Sequence, residues 1–540
     1  LIKQKIDLLD SDKQIDSFVN KIDSNCRAII IPIDLSPFEK KLIGLKYGMH
    51  IRLHNSKVKY LPIIFLSEYE DWQIRDMSRG IDSYNHLDYI LNTKSIDVIK
   101  YSEISEELEL KLNALAPLTK SSYKSDFYNH IKILPLEESG GSHSFANIWG
   151  LLRFNVALNL NALIDKKTIS RTSELYFKYL TTLLEIKEQS KYESLILNAK
   201  DKKILLIDDQ AKDGWEEVLK SFFRDSKFEV ATNYLDGLEL AKDLKWDLIL
   251  LDLRLDPANE DMDGELINPK DFSGAKLLNE IKEFNSGIQV IMLTASNKSW
   301  NLKKLLELGA NGYYVKESPE FNFSNEQTIK NIENFKGEVE KCFEMGFLKD
   351  LYKKINDIEM HKRISYTKRG NSDQESLKIF LEELLFWLNY AVSSITCRID
   401  EKSQEVIIDF NNCLINLFSA VELIGNRYVG NCSKYGINEF KSFRTNQKIK
   451  VFNLKNGIQK KDDINYMSEK LGPPWEIKIY NAISFSQKVD EIIDLSTLVE
   501  KRNNGIIHPD SAKSPGYKES LKINKKEIVD FFNLIAFKYK

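Results

Sequence analysis

Four fragments decide the fold: ILLIDDQ (204–210), DLILLDL (247–253), VIMLTAS (290–296) and GYYVKES (312–318). Each is a short β-branched or Leu-rich run that ends in a polar residue, the pattern of a strand buried on both faces with its C-terminal end exposed. The segments between them carry helical period. Strands alternating with helices predict an α/β fold with an open, doubly wound parallel sheet. In such a sheet ligands bind at the carboxyl ends of the strands, so Asp208, Asp209, Asp252, Thr294 and Lys316 are expected to converge there.

Three carboxylates, a hydroxyl and an amine have a chemical logic. Clustered carboxylates repel one another unless a hard cation binds them, and Mg²⁺ favours a few carboxylates together with water and phosphate oxygens. Mg²⁺ is therefore the expected cofactor. Asp252 ends the central run, where its carboxylate can attack a phosphoryl group while the cation and Lys316 neutralise the oxygens and Thr294 bonds one of them. The residues, their order and their strand-end placement resemble the receiver domain of two-component response regulators. The resemblance implies that Asp208 and Asp209 are the metal acids, Asp252 the phosphoacceptor and a metal ligand, and Arg254 a metal ligand through its backbone carbonyl. It further implies Thr294 as switch hydroxyl, Tyr313 as switch aromatic, Lys316 as phosphate-binding lysine, and a sensor histidine kinase as phosphoryl donor. Two features depart from the pattern. Glu317 stands where the family usually has Pro, and the loop RLDPANEDMDGELINPKDFSG (254–274) is far longer than an ordinary β-to-α connection. NEDMDG imitates the start of an EF-hand, but Lys270 occupies the position of its final Glu, so calcium is not expected; an acidic insert beside the site is expected to affect metal affinity or partner choice.

At 540 residues the chain is long enough for three or four domains. A charged fraction of 29% with a net charge of −3 gives no whole-chain electrostatic case for nucleic acid or membrane. Cys26, Cys342, Cys397, Cys413 and Cys432 are odd in number and show no metal-binding spacing, so reduced thiols in a cytoplasmic protein are expected. No run approaches a membrane span, and LIKQKIDLLD (1–10), charged and helical in period, is not expected to be a signal peptide.

Residues 1–115 alternate apolar runs, RAIIIPI (27–33), LPIIFLS (61–67) and DVIKY (97–101), with helical segments. They read as a degenerate receiver-like α/β domain. Ser67 sits where the hydroxyl-bearing strand would end, Asp34 follows the first run, and no acidic pair can be placed. Residues 116–200 are expected to be a helical connector, with His143 near a helix start between a capping role and a phosphotransfer role. The receiver spans 201–325. A signalling helix and linker, 326–369, continue the apolar period from Ile329 through Ile332, Phe335 and Val339 to Leu351, Ile355 and Ile358; core packing is the competing reading. Residues 370–540 read as an all-α output domain without a DNA-binding helix-turn-helix.

In that last region VEKRNNGIIHPD (499–510) places an arginine and a histidine near each other. An arginine can hold a phosphate through its planar fork, and a histidine can move the proton of an RNA 2′-hydroxyl. Residues six apart on one helix diverge by roughly 120°, so Asn504-Gly505 is expected to break the helix and Pro509 to hold His508 on a turn. The arrangement resembles the HEPN superfamily (higher eukaryotes and prokaryotes nucleotide-binding). That resemblance implies a homodimer with an RNA substrate, Arg502 on the scissile phosphate, His508 as acid/base and Asn503 orienting them. Two functions follow: a response regulator gating a metal-independent RNase of toxin or defence type, and a non-enzymatic adaptor or phosphate sink that binds a partner protein.

Overall fold

The structure is a computed structural model. It describes residues 12–34, 42–54, 56–79, 87–131, 141–158, 195–255, 271–294, 299–317, 324–366, 372–400, 405–430, 497–507 and 521–536, with a few short pieces between them. The central unit is a five-stranded sheet. Its strands are β4 (Lys203–Ile207), β5 (Lys227–Ala231), β6 (Leu248–Asp252), β7 (Val290–Thr294) and β8 (Gly312–Val315), and all neighbours run parallel in the order β8-β7-β6-β4-β5. Reversal of strand order between β4 and β6 is the topological switch that opens a crevice at their carboxyl ends. β6 and β7 are buried at every position, as continuous Leu/Ile runs require when helices cover both faces.

Upstream, β1 (Ile29–Pro32), β2 (Ile63–Ser67) and β3 (Ile96–Lys100) form a smaller parallel sheet in the order β1-β2-β3, with its own core around Ile63, Phe65, Tyr47 and Phe127. The receiver-like expectation thus meets a parallel α/β sheet. Between the two units, the apolar residues divide between two cores. Leu118, Tyr123 and Leu175 join the upstream core, whereas Leu151, Phe154 and Leu158 of helix α1 (Gly141–Leu158) join the central one.

Helix α2 (Asn325–Met345) begins with a full capping box, Ser324 with Gln327, which satisfies orphan N–H groups at its start. Its inner face, Ile332, Phe335, Val339 and Cys342, packs on the sheet. The apolar period continues past Met345, but the chain turns at Gly346-Phe347 and starts a separate helix, α3 (Leu348–Tyr366). Leu351, Ile355 and Ile358 of α3 lie in one core with α4 (Ser372–Ser393), α5 (Asn411–Tyr428) and α6 (Lys525–Ala536).

The expectation of an all-α C-terminal region needs correction. Thr396–Ile399 and Val406–Asp409 form an antiparallel hairpin between α4 and α5. The fragment IIDF, inside the region expected to be all-α, is strand through Asp409, because its β-branched residues alternate in burial and pair across to Cys397 and Arg398. A second correction concerns Lys501–Ile507. Gly505 does not end the helix; the backbone continues through it as a wide π-helical turn. Gly505 lies close under Leu521, where a Cβ would come within 3.2 Å, so this glycine serves packing.

Candidate functional site

The carboxyl ends of β4, β6 and β8 bring Asp208, Asp252 and Lys316 into direct contact. The Lys316 ammonium donates to Asp252 Oδ1 at 2.7 Å and to Asp208 Oδ2 at 2.9 Å. Lys316 and Asp208 are buried, and Asp252 keeps only an edge open. The remaining oxygens face backbone donors: Gln210 N donates to Asp208 Oδ1 and Arg254 N to Asp252 Oδ2, both at 2.8 Å. Each carboxylate is therefore fixed in orientation by its own loop.

Charge explains the arrangement. Burial alone would push the Lys316 ammonium down, but Asp208 and Asp252 outweigh it and hold it above the ordinary lysine value. Burial raises the Asp252 carboxyl, with Lys316 opposing. Asp209, half-buried beside them, is pushed up to about 7 by burial and by the charges of Asp252 and Asp208. One ammonium thus faces three acidic groups. Among the described residues no three acidic, histidine or cysteine side chains converge as a ready-made metal cage. The donor set nevertheless suits Mg²⁺, which takes one or two carboxylates and fills its remaining positions with water and phosphate oxygens. The acidic excess at Asp209 is what such a cation would relieve.

Local backbone geometry seats the acceptor. A Cβ on Gly274 would fall 2.0 Å from the Asp252 carbonyl oxygen, so only glycine lets the following helix (Ser273–Phe284) abut the end of β6. Gly274 N donates to Leu253 O, and Ser273 Oγ accepts from Leu255 N. The base of the long loop is closed by these bonds, while its middle, 256–270, lies outside the described residues. Thr294 is buried at the end of β7, and Lys316 N donates to its carbonyl. Tyr313 is exposed on the edge strand β8.

Comparison with known proteins bears on this geometry. The family model described as "Response regulator receiver domain" matches residues 204–324. Residues 204–324 form a receiver domain. The chemotaxis protein CheY of Halobacterium salinarum is 28% identical over 121 residues, covering 21% of this chain and 84% of that protein. The transcriptional regulatory protein CusR of Escherichia coli is 31% identical over 116 residues, 21% of this chain and 44% of CusR. The chain thus spans less than half the length of that transcriptional regulator. A solved CheY-like receiver from Methanospirillum hungatei JF-1 is 24% identical over 26% of this chain and 98% of its own, with a TM-score of 0.19.

A second family model, "Inactive Receiver domain", matches residues 2–99. Strand register shows how the two sheets differ at the positions of the acceptor and the lysine. In the receiver Asp252 pairs opposite Leu293, one before Thr294, and Val315 pairs opposite Thr294, one before Lys316. In the upstream sheet Pro32 pairs opposite Leu66, one before Ser67, and Lys100 pairs opposite Ser67. Pro32 thus stands in the acceptor's place and Tyr101 in the lysine's. Neither can do the chemistry, and Asp34 is two residues too far along.

Two contributors to the receiver site were not singled out from sequence. Trp215 lies with its ring 5.1 Å from the Lys316 ammonium, at the head of a helix entered through Gly214, whose φ of 122° suits glycine. Arg153 of α1 pairs with Glu317 at 3.0 Å, both side chains buried. A lone arginine inside the apolar run IWGLLRFNVAL was the available signal, because a buried charge needs a partner.

The second candidate site reads differently. Arg502 lies over the Phe418 ring at 5.0 Å and 3.8 Å from Glu422, both on α5. Its neighbour Lys501 is buried and bonded to Glu527 at 2.6 and 2.8 Å. Asn503 is half-buried on the same turn. His508 falls outside the described residues, as does the side chain of His143. No helix among the described residues is long and apolar enough to cross a membrane.

Proposed function

We propose that the chain is a response regulator in which Asp252 accepts a phosphoryl group and the helical half responds. The observation that carries this reading is the Lys316 ammonium shared between Asp208 and Asp252 at a parallel-sheet switch point. An Asp252 carboxylate oxygen attacks phosphorus, the bond from phosphorus to the donor's leaving atom breaks, and that atom keeps the electron pair. The product is an acyl phosphate. A sensor histidine kinase is the fitting donor, since its leaving group is then an imidazole nitrogen. Mg²⁺ held by Asp208, Asp209, Asp252 and the Arg254 carbonyl would neutralise the transferred oxygens. Lys316, already aimed at Asp252, would exchange a carboxylate partner for a phosphoryl oxygen, and the Thr294 hydroxyl would bond another.

For the helical half, binding to a partner protein is favoured over RNA cleavage. Arg502 is engaged by Phe418 and Glu422, the contacts of a residue that ties a helix end to a core. Homodimerisation would be a natural readout of the phosphorylated state. The test is an RNA-cleavage assay on the full chain with and without beryllofluoride as phosphoryl mimic, beside Arg502→Ala with His508→Ala. Absence of cleavage in both states supports the adaptor; cleavage lost in the double variant establishes the RNase.

A further inference from the structure

Helix α1 precedes the receiver in the chain, yet its residues reach the two positions next to the phosphoryl site. Arg153 Nε donates to Glu317 Oε2 at 3.0 Å, and each side chain is 1% exposed. The other arm of the guanidinium donates to Ser324 O at 3.0 Å and to the Thr328 hydroxyl, which itself donates to the same Glu317 oxygen at 3.0 Å. Arg153 therefore ties the residue that follows Lys316 to the first turn of α2. The backbone of α1 presses on the same spot: a Cβ on Gly150 would stand 3.1 Å from Glu317 N and 3.4 Å from Lys316 Cβ. Leu151 does likewise at Gly214, which begins the helix carrying Trp215, whose ring lies against the Lys316 ammonium.

We propose that Arg153 is a positioning residue for the phosphoryl site: through its buried ion pair with Glu317 it sets the backbone at Lys316, so that phosphoryl uptake at Asp252 depends on α1 being docked. The inference rests on the reading of Asp252 as acceptor. Its physical basis is that Lys316 must hold one ammonium between two carboxylates, and a displacement of about 1 Å at a reacting group can cost up to a hundredfold in rate. The pair fixes the residue next in the chain from a helix outside the receiver's own sequence. Docking of α1 is then one condition of a competent site.

The test measures phosphoryl uptake by the full chain from phosphoramidate, in the parent, Arg153→Met, Lys316→Ala and the double variant, with hydrogen exchange of residues 312–317 as a second readout. Removing a residue that acts through Lys316 should lower the rate on the order of tenfold in the parent background and have little further effect once Lys316 is gone. Exchange at 312–317 should rise in Arg153→Met while β4 and β6 stay protected. An equal loss in both backgrounds, or an unchanged rate and exchange in a folded Arg153→Met, overturns the proposal. If Arg153→Met does not fold, Glu317→Gln, which keeps shape and removes the charge, takes its place with the same two outcomes. Failure of the parent to take up phosphate at Asp252 would instead defeat the acceptor reading and leave the exchange result to judge the positioning role.

Discussion

The Lys316 ammonium sits 2.7 Å from Asp252 Oδ1, with almost no access to solvent. It balances part of the acidic charge at the strand ends. Removing one partner of a buried charge network leaves the others uncompensated, at a cost of roughly 3 kcal/mol. Protonation of a carboxylate would recover part of this. Lys316→Ala should therefore lower stability near neutral pH and lose less at pH 5, measured as the urea midpoint at the two pH values. An equal loss at both would show that the lysine acts through packing alone.

Asp209 gives a pH dependence of its own. Its folded-state value of about 7 lies above that of an ordinary carboxylate, with burial the first cause. The folded protein then binds more protons than the unfolded chain between the usual carboxylate range and pH 7, so stability falls as pH rises through that window. Without divalent cations the receiver should be more stable at pH 5 than at pH 8. Millimolar Mg²⁺ should narrow the difference, chiefly by stabilising at pH 8. Thermal melts at both pH values, with Mg²⁺ and with EDTA, decide it.

Gly274→Ala should be disproportionately damaging. The added methyl meets the Asp252 carbonyl and the Leu253 backbone, neither of which can give way without moving β6. A destabilisation of about 2 kcal/mol is expected from overpacking against backbone. A neutral result would mean that the helix Ser273–Phe284 can slide away from the strand end.

Thiol reactivity should separate the cysteines by environment. Burial pushes Cys342 and Cys413 up to about 12, so little thiolate exists at pH 8. Cys26 and Cys397 are partly exposed. Alkylation of the native chain followed by mass spectrometry should label these two before Cys342 and Cys413. Prompt labelling of Cys342 would indicate that α2 opens from the sheet.

The receiver was legible because a parallel sheet buried on both faces writes its strands as unbroken apolar runs and leaves its chemistry at their ends. Asp208, Asp252 and Lys316 follow from that grammar. The Arg153 to Glu317 pair was not legible, since its partners are 164 positions apart and neither belongs to a local pattern. The hairpin after α4 departs from the all-α expectation for a different reason. Its IIDF fragment runs straight into the helical period of α5, and only pairing with Cys397 and Arg398 separates strand from helix. At Gly505 the propensity argument for a helix break did not hold, because the turn packs closely against Leu521, where a Cβ would come within 3.2 Å. For the upstream unit the apolar runs announced the sheet, but only strand register puts Pro32 and Tyr101 where Asp252 and Lys316 stand.

The most direct test of the central claim is phosphoryl uptake by the full chain from phosphoramidate with Mg²⁺, followed by intact mass, in parent and Asp252→Ala. The account predicts a single phosphoryl adduct of 80 Da, roughly the mass of PO₃H, that appears in the parent, requires Mg²⁺ and is absent from the variant. An adduct that persists in Asp252→Ala, or a parent that takes up none, would contradict it.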